Sequence, residues 1–331
     1  MILAGDVGGT KTRLAYFQTE GKHLKPVVEQ IFLSQEHKDL SEIVSKFVSA
    51  HKLPTEHACF GVAGPVRNGR CEIETPNLAW VVDARQLARE LRLKKVELIN
   101  DLEANAHGIT MLEPKDFATL NNGALGASGN KALIAAGTGL GEVGLHWEED
   151  HYQPFPSEGG HVDFAPRNHL EVELLLFLLK EYEHVSYERV LSGPGLYNIY
   201  RFLRDTRRGE EPAWLTEEMS GKDPSPIISK AALERKSPLC QQALDIFVSI
   251  YGAAAGNLAL KLMATGGLFV VGGIAPKILE KLKDSTFMKA FVAKGRKKSL
   301  VEAIPVSVIL NDKTALLGAG YYAALRAPPR V

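Results

Sequence analysis

Two short glycine-rich segments constrain this chain more than any other feature. They read Asp6-Val7-Gly8-Gly9-Thr10-Lys11-Thr12 and Ala135-Ala136-Gly137-Thr138-Gly139-Leu140-Gly141, and each lies between two apolar runs. Glycine permits a tight turn and a close approach of the backbone, so that peptide N–H groups can contact phosphate oxygens. One such segment is also typical of an ordinary hairpin. Two of them in one chain predict a duplicated fold that binds one polyphosphate from both sides.

Two further features extend this prediction. Asp6 ends the first apolar run, where a carboxylate can hold Mg²⁺ directly or through water. Gly272 and Gly273 follow a predicted strand and precede Pro276, so they form either a strand–turn–helix corner or a surface for a purine base. The two phosphate-type segments favour the nucleotide, and the set as a whole predicts phosphoryl transfer.

Composition restricts the partners and the compartment. Among 331 residues, 39 basic side chains balance 39 acidic ones, which argues against nucleic acid and against an anionic membrane as partners. No apolar stretch is long and unbroken enough to span a membrane, and the first residues lack the basic segment of a signal peptide. The three cysteines are scattered and form no CxxC pair, so we expect a protein of the reducing cytoplasm.

The order of predicted elements indicates an α/β lobe that occurs twice. Residues 1–109 predict three strands, a helix, a strand, a helix and a strand, which is a ribonuclease-H-like order. A second copy begins at Lys131 with the second glycine hairpin. Beyond it, Leu170 to Tyr182 predicts a buried helix, and Pro238 to Thr265 predicts one long helix that Gly252 and Gly256 allow to pack closely.

Asn100-Asp101 follows the strand at 96–99 and opens a helix. Asn and Asp are preferred helix N-caps, so a structural role is one interpretation. The other is that a carboxylate here accepts the proton of an attacking hydroxyl, which is a poor nucleophile until that proton begins to leave. The two interpretations are compatible, because a cap would orient the side chain.

Glu158 and His161 form a second polar cluster, three residues apart on a loop that contains Gly159 and Gly160. Zinc is disfavoured because no second His or Cys stands at ligand spacing. A sugar fits better, since its hydroxyls require placed donors and acceptors. Glu188 is a third candidate acceptor, although alone it would be an ordinary surface residue.

These segments together resemble the bacterial glucokinases of the hexokinase–actin–Hsp70 superfamily, in the group without zinc-binding cysteines. The resemblance covers nearly the whole chain, and its most specific segment is Glu158-Gly159-Gly160-His161-Val162-Asp163-Phe164-Ala165-Pro166. The other matching segments are Leu3 to Thr12, Ile99 to Asp101, Gly137 to Gly141, Ser192 to Tyr200 and Gly272 to Pro276.

The resemblance implies a two-lobed, ribonuclease-H-like α/β fold of the actin and hexokinase type, with an inter-lobe cleft. The small lobe would span residues 1–109, completed by a C-terminal helix over 312–331, and the large lobe would span 110–311. It also implies an enzyme that uses ATP and Mg²⁺ to convert glucose to glucose 6-phosphate for glycolysis, and it suggests a homodimer.

By the same match, Asp101 would be the general base, and Asn100, Asp101, Glu158, His161 and Glu188 would bind the sugar. Asp6 would serve Mg²⁺. Nucleotide and phosphate contacts would come from Gly5, Asp6, Gly8, Gly9, Thr10, Lys11, Gly137, Thr138, Gly139, Gly272 and Gly273.

Three other functions compete with this one. The same scaffold can phosphorylate another hexose or use polyphosphate as the donor. A non-catalytic sugar sensor would not need Asp101, Asp6 and both phosphate segments. An actin- or Hsp70-like ATPase would lack the Glu158–His161 cluster and would carry a partner-binding domain, for which the chain has no room.

Overall fold

The structure is a computed structural model that describes residues 1–20, 23–75, 78–149 and 151–326. The chain divides into two compact units. The first comprises Met1–Pro114, Asp150–Pro156 and Asn311–Val331, and the second comprises Lys115–Glu149 and Ser157–Leu310. The lobe limits predicted at residues 109 and 312 stay predictions, and the end of the expected C-terminal helix, 327–331, lies outside the described residues.

Strands and helices alternate along much of the chain. The strands are β1 (Ile2–Val7), β2 (Lys11–Glu20), β3 (His23–Leu33), β4 (His57–Val62), β5 (Arg70–Thr75), β6 (Leu78–Asp83), β7 (Lys95–Asn100), β8 (Phe117–Asn121), β9 (Lys131–Ala136), β10 (Leu140–Glu148), β11 (His151–Ser157), β12 (Gly267–Val271) and β13 (Val306–Ile309). The α-helices are α1 (Leu40–His51), α2 (Ala84–Leu91), α3 (Asp101–Gly108), α4 (His169–Leu178), α5 (Gly193–Asp205), α6 (Ala213–Met219), α7 (Pro224–Leu233), α8 (Pro238–Leu262), α9 (Leu279–Lys283), α10 (Ser285–Val292), α11 (Lys298–Glu302) and α12 (Thr314–Arg326).

The first unit is built on a sheet with the order β3-β2-β1-β4-β7. β1 and β2 pair antiparallel through the first glycine hairpin, whereas β1, β4 and β7 run parallel. The register places Asp6 opposite Gly61, and Val62 opposite Asn100, so three parallel strands end at one edge. The predicted order of three strands, helix, strand, helix and strand is confirmed, while the hairpin β5–β6 was missed.

Helices cover both faces of this sheet. Alternate residues of a strand point to opposite faces, and β1 accordingly contributes Leu3 to the core cluster that contains α1 and Ala4 to the one that contains α12. On the first face, the ring of Phe47 stacks on Tyr16 with centroids 5.1 Å apart. On the second, α12 lies so close to α3 that a Cβ on Gly318 would overlap the carbonyl oxygen of Ala104.

The second unit contains the strand order β10-β9-β12-β13-β8. Its antiparallel hairpin β9–β10 repeats the arrangement of β1–β2, and β12 pairs parallel with β9, with Val271 opposite Ala135. The carboxyl ends of β9 and β12 are therefore neighbours. In α/β sheets, ligands bind in the crevice outside such strand ends.

The long helix expected at 238–265 is confirmed as α8, which is buried along most of its length. Its close packing is also confirmed, because Cβ atoms on Gly252 and Gly256 would overlap the carbonyl oxygens of Phe287 and Phe291 on α10. Among the described helices, α8 alone is long and apolar enough to cross a membrane by length and composition. However, 72% of its most apolar window is buried inside the protein, as in the core helix of a folded domain.

The prediction that Leu170 to Tyr182 forms a buried helix is only partly correct. α4 buries Leu174 and Leu178, but Val172 and Leu176 are 40% and 58% exposed. Apolar residues extend around more of this helix than its neighbours cover, which helical periodicity alone does not reveal.

His107 is a buried histidine in α3 whose two ring nitrogens have no hydrogen-bond partner among the described residues. Its ring meets that of Tyr322 edge-on at 5.0 Å between centroids, and Tyr321 lies beyond it. Burial, with smaller contributions from the nearby His151 and Arg326, lowers the pKa of His107 from 6.5 to about 4. The folded protein therefore favours the neutral form of the His107 ring.

Acidification should destabilise the first unit through His107. Because the folded pKa lies below the unfolded one, the unfolded chain binds the extra proton, and stability is lost as the pH falls from about 6.5 towards 4. We expect a loss of about 2 kcal/mol by pH 5 from this group. Thermal unfolding at pH 7 and pH 5 should show a smaller shift for His107→Leu than for the parent protein. His169→Gln, which changes a histidine exposed on α4, should behave like the parent, and equal shifts in all three proteins would contradict the assignment.

Candidate active site

The first glycine hairpin, between β1 and β2, is held by hydrogen bonds within its turn and from Ser34. The N–H of Gly8 donates to the carbonyl of Lys11 at 3.0 Å, which closes the turn. Ser34 then braces it, because its hydroxyl donates to the carbonyl of Gly8 at 2.8 Å and its N–H donates to that of Thr10 at 2.9 Å. Thr10 and Lys11 are exposed at the tip. The turn bond occupies the N–H of Gly8, so this group is not available to a ligand.

Asp6 lies partly buried beside this hairpin among other acidic groups. The pKa of Asp6 is raised to about 6 by burial and, to a smaller extent, by the negative charge of Asp101. Arg13 opposes this rise, and Asp312 adds a smaller contribution to it. Arg13 is engaged with Asp312, to whose Oδ2 it donates at 2.8 Å. The site thus concentrates negative charge that a cation would neutralise.

This donor set fits Mg²⁺. Within the described ranges, no three or more His, Cys, Asp or Glu side chains form a potential metal cluster. Mg²⁺ usually binds through one or two carboxylates, substrate phosphates and water, so it does not require such a cluster. Asp6, at the end of β1 and within electrostatic reach of Asp101, has the chemistry for that mode of binding.

Hydrogen bonds at the start of α3 show which of Asn100 and Asp101 caps the helix. Asn100 is the N-cap of α3, since its Oδ1 accepts from the N–H groups of Leu102 at 2.9 Å and Glu103 at 3.4 Å. Its Nδ2 donates to the carbonyl of Gly64 at 3.1 Å. Asp101 is the first helical residue, with Oδ1 at 2.9 Å from the N–H of Leu102. Asn100 therefore has a structural function that accounts for its presence, and Asp101 is not the cap.

Gly61 is a residue that the sequence analysis missed. It lies on β4 between β1 and β7, and a Cβ there would stand 2.9 Å from the Cβ of Ala104 and 3.9 Å from the Cα of Asp101. The absence of a side chain lets α3 approach the sheet. The same spacing brings Asp101 within electrostatic reach of Asp6.

Glu158 and His161 come together at the surface of the second unit. Oε2 of Glu158 lies 4.0 Å from Nε2 of His161, and both side chains are mostly exposed. The intervening residues form a 3-10 helix, Gly159–His161, in which both glycines are buried. A Cβ on Gly160 would overlap the carbonyl oxygen of Leu140. These glycines thus allow tight packing against β10.

Glu188 is connected to the second hairpin. Its Oε2 accepts from the N–H of Leu140 at 2.9 Å, and a Cβ on Gly139 would lie 2.5 Å from that oxygen. The hairpin closes much as the first one does, with the N–H of Gly137 donating to the carbonyl of Gly139 at 2.8 Å. Thr138 is exposed at the tip.

Contacts within the described residues do not explain why positions 137 and 273 are glycines. No heavy atom of the described residues lies within 4 Å of a Cβ built on either one, and neither has a positive φ. They follow the neighbouring parallel strands β9 and β12. Gly272 differs, because it has a φ of +92° and lies against the carbonyl of Ala136. Glycines with open space around them suit the close approach of a ligand.

Gly5 is explained by packing inside the sheet. It is buried in β1, and a Cβ there would stand 2.5 Å from Phe60 Cδ1 and 2.8 Å from Leu14 Cδ2. The predicted site residues accordingly fall into two groups. The first unit holds Gly5, Asp6, Gly8, Gly9, Thr10, Lys11, Asn100 and Asp101, and the second holds Gly137, Thr138, Gly139, Glu158, His161, Glu188, Gly272 and Gly273.

The chain is similar in sequence to known glucokinases. A family model described as Glucokinase matches residues 3–326. A Glucokinase of Nostoc sp. is 43% identical over 98% of this chain and 99% of its own length, and one of Yersinia enterocolitica is 36% identical over 97% and 95%.

Solved structures show the same fold. The crystal structure of a glucokinase from an Antarctic psychrotroph matches with a TM-score of 0.83 and 29% identity, over 98% of each chain. A ROK family glucokinase from Streptomyces griseus, solved with glucose and AMPPNP, matches with a TM-score of 0.65 and 20% identity over 98% of this chain and 99% of its own.

The expected two-domain α/β fold of the hexokinase type and the expected enzyme class are both confirmed by these matches. The family model and the relatives each extend over nearly the full length of the sequence. The chain therefore belongs to the glucokinase family, whose enzymes phosphorylate glucose.

Proposed function

We propose that this enzyme transfers the γ-phosphoryl group of ATP to the 6-hydroxyl of D-glucose, with Asp101 as the general base. The observation that carries this proposal is the division of roles at the start of α3. Asn100 caps the helix, so the carboxylate of Asp101 is not needed for that purpose. Asp101 stands instead at the carboxyl edge of the parallel strands, where it raises the pKa of Asp6 by its charge.

The chain supplies positioning and proton transfer. Glu158, His161 and Glu188 hold hydroxyls of the sugar, which fixes the reacting oxygen. Asp101 accepts the proton of that oxygen as it attacks the γ-phosphorus, and the bond to the leaving ADP oxygen breaks. Because the transferred group needs little covalent help, orientation and charge neutralisation provide most of the catalysis. When bound at Asp6, Mg²⁺ supplies neutralisation of the phosphate charge.

Exposed backbone of the two hairpins holds the phosphates. In each hairpin the first glycine closes the turn, so the contacts come from Gly9 and Thr10 in one and from Thr138 and Gly139 in the other. Gly273 provides the open surface for the purine. The glucose and AMPPNP bound to the Streptomyces griseus glucokinase support both substrates for the present chain.

ATP is favoured over polyphosphate as the donor. Gly273 lies beside the end of the strand that leads to Gly137, with room for a flat base. A polyphosphate chain has no group that would use that surface. Assays with ATP and with polyphosphate, and with glucose beside mannose and fructose, decide between this proposal and the alternative donor or hexose.

A cytoplasmic location is part of the proposal. The cysteines Cys59, Cys71 and Cys240 are all free and buried, as in proteins of reducing compartments. The homodimer stays a prediction.

Replacing Asp101 by Asn should separate catalysis from stability. The helix keeps its cap at Asn100, so Asp101→Asn should melt within a few degrees of the parent protein and still bind glucose. An amide cannot accept the proton, and we expect kcat to fall at least about a hundredfold. Glu103→Gln, an equal change two residues further along α3, should keep the parent kcat. A stable Asp101→Asn protein with near-normal kcat would refute the mechanism.

Replacing Gly137 by Val should impair ATP use without unfolding the protein. The space around its Cβ position is open, so the melting temperature should stay close to that of the parent. The side chain would hold the phosphates away from the hairpin, and the loss of charge-assisted hydrogen bonds should raise the KM for ATP at least about tenfold. The glucose affinity measured without nucleotide is the control and should not change. An unaltered KM for ATP would show that the hairpin does not approach the phosphates.

Changes at Glu158 and His161 should affect the sugar selectively. Glu158→Gln and His161→Ala each remove a hydrogen bond to a glucose hydroxyl, which should raise the KM for glucose about tenfold or more and leave that for ATP nearly constant. Asp163→Asn changes an exposed carboxylate two residues away that pairs with His184, and it should have no such effect. Steady-state kinetics on the four proteins test the assignment, which a parent-like KM for glucose in both site variants would contradict.

A further inference from the structure

We propose that Glu188 is a positioning residue for the phosphate hairpin as well as a sugar ligand, so that the sugar site and the 137–140 hairpin move as one body. This inference rests on the proposed function, because it joins two sites assigned there. Its new element is the contact of Glu188 with the hairpin, which gives one carboxylate an effect on both substrates.

The direct contact is made by a single carboxylate oxygen. Oε2 of Glu188 accepts from the N–H of Leu140 at 2.9 Å, across 48 residues of sequence. No bond from the described residues to its other oxygen, Oε1, is found, which leaves that atom for a hydroxyl. A hydrogen bond to an ionised acceptor is stronger than one between neutral groups, so this contact has the strength to hold a loop.

Glycine at position 139 makes the contact feasible. A Cβ there would stand 2.5 Å from Oε2 and 3.3 Å from Cδ of Glu188. Any side chain would therefore displace the carboxylate. The requirement is steric, since the φ of Gly139 is not in the left-handed region.

The segment that follows Glu188 holds the other end of the hairpin. The hydroxyl of Ser192 donates to the carbonyl of Glu188 at 2.7 Å. The N–H of Gly193 donates to the carbonyl of Gly137 at 2.8 Å, and Ser225 in turn donates to the carbonyl of Gly193 at 2.6 Å. Both ends of the hairpin are thus fastened to residues 188–193.

Leu140 also contacts the second part of the proposed sugar site. Its carbonyl oxygen occupies the place that a Cβ on Gly160 would need, in the 3-10 helix between Glu158 and His161. Leu140 therefore donates its N–H to Glu188, and its carbonyl oxygen packs against Gly160, in the turn that carries the other two proposed sugar ligands. A displacement of the hairpin must be transmitted to all three.

The first test compares two glycines of the same hairpin. Gly139→Ala places a methyl group against the Glu188 carboxylate, whereas Gly137→Ala places one in open space. Calorimetric titration with glucose in the absence of nucleotide should give a Kd raised at least about fivefold for Gly139→Ala. Gly137→Ala should stay within about twofold of the parent by the same scale. Equal glucose Kd values for the two variants would overturn the inference.

The second test uses Glu188 itself and a nucleotide without any sugar. Glu188→Ala removes the oxygen that accepts from the N–H of Leu140. Glu188→Gln keeps an acceptor there, because its amide oxygen can take the place of the carboxylate oxygen. The Kd for AMPPNP should rise about fivefold in Glu188→Ala and return to near the parent value in Glu188→Gln. His161→Ala changes a proposed sugar ligand whose side chain makes no hydrogen bond to the hairpin within the described residues, and it should leave that Kd unchanged. A role limited to sugar binding predicts no change in any of the three and would refute the link.

The two proposals fail in different ways. A parent protein that binds no glucose would refute the proposed function. A parent protein that binds both ligands, with an AMPPNP Kd insensitive to Glu188→Ala, would refute only the link between the sites. The second test decides the matter even if Gly139→Ala folds poorly, and melting temperatures identify that case.

Discussion

Direct packing of backbone on backbone is the constraint on which both units depend. In the first unit, Gly318 of α12 lies against the carbonyl of Ala104, which places α3 and hence Asp101 at the sheet edge. In the second, Gly160 lies against the carbonyl of Leu140, which places Glu158 and His161 beside the first residue of β10. A carbonyl oxygen cannot be displaced as a flexible side chain can, so no residue other than glycine fits these contacts. The geometry of the site therefore follows from packing beneath it.

The candidate site residues of the two units differ in character. Those of the first unit include several charged side chains, whereas those of the second include glycines with open space around them. Burial, together with the negative charges of Asp101 and Asp312 and against the opposing charge of Arg13, raises the pKa of Asp6 to about 6. Such a group favours a cation in its vicinity. The second unit instead presents the exposed residue Thr138 and open space at Gly137 and Gly273.

Sequence periodicity was sufficient for the long elements and failed for the small ones. α8 and the two glycine hairpins are where they were predicted. The hairpin β5–β6, which forms a separate two-stranded sheet, was missed. The burial of α4 was overestimated, since a helix apolar on several faces does not indicate which face its neighbours will cover.

By itself, the sequence determined the duplicated α/β order, the two hairpins and the family, because these depend on local patterns and on motifs within short segments. The tertiary structure decided what each polar residue does. Asn100 and Asp101 are both good N-caps, and only the observed bonds assign the cap to Asn100. Glu188 was an ordinary surface residue by its sequence context, yet it binds the N–H of Leu140. Such contacts join residues far apart in the chain, and no local pattern encodes them, since they arise from the way the strands and turns pack.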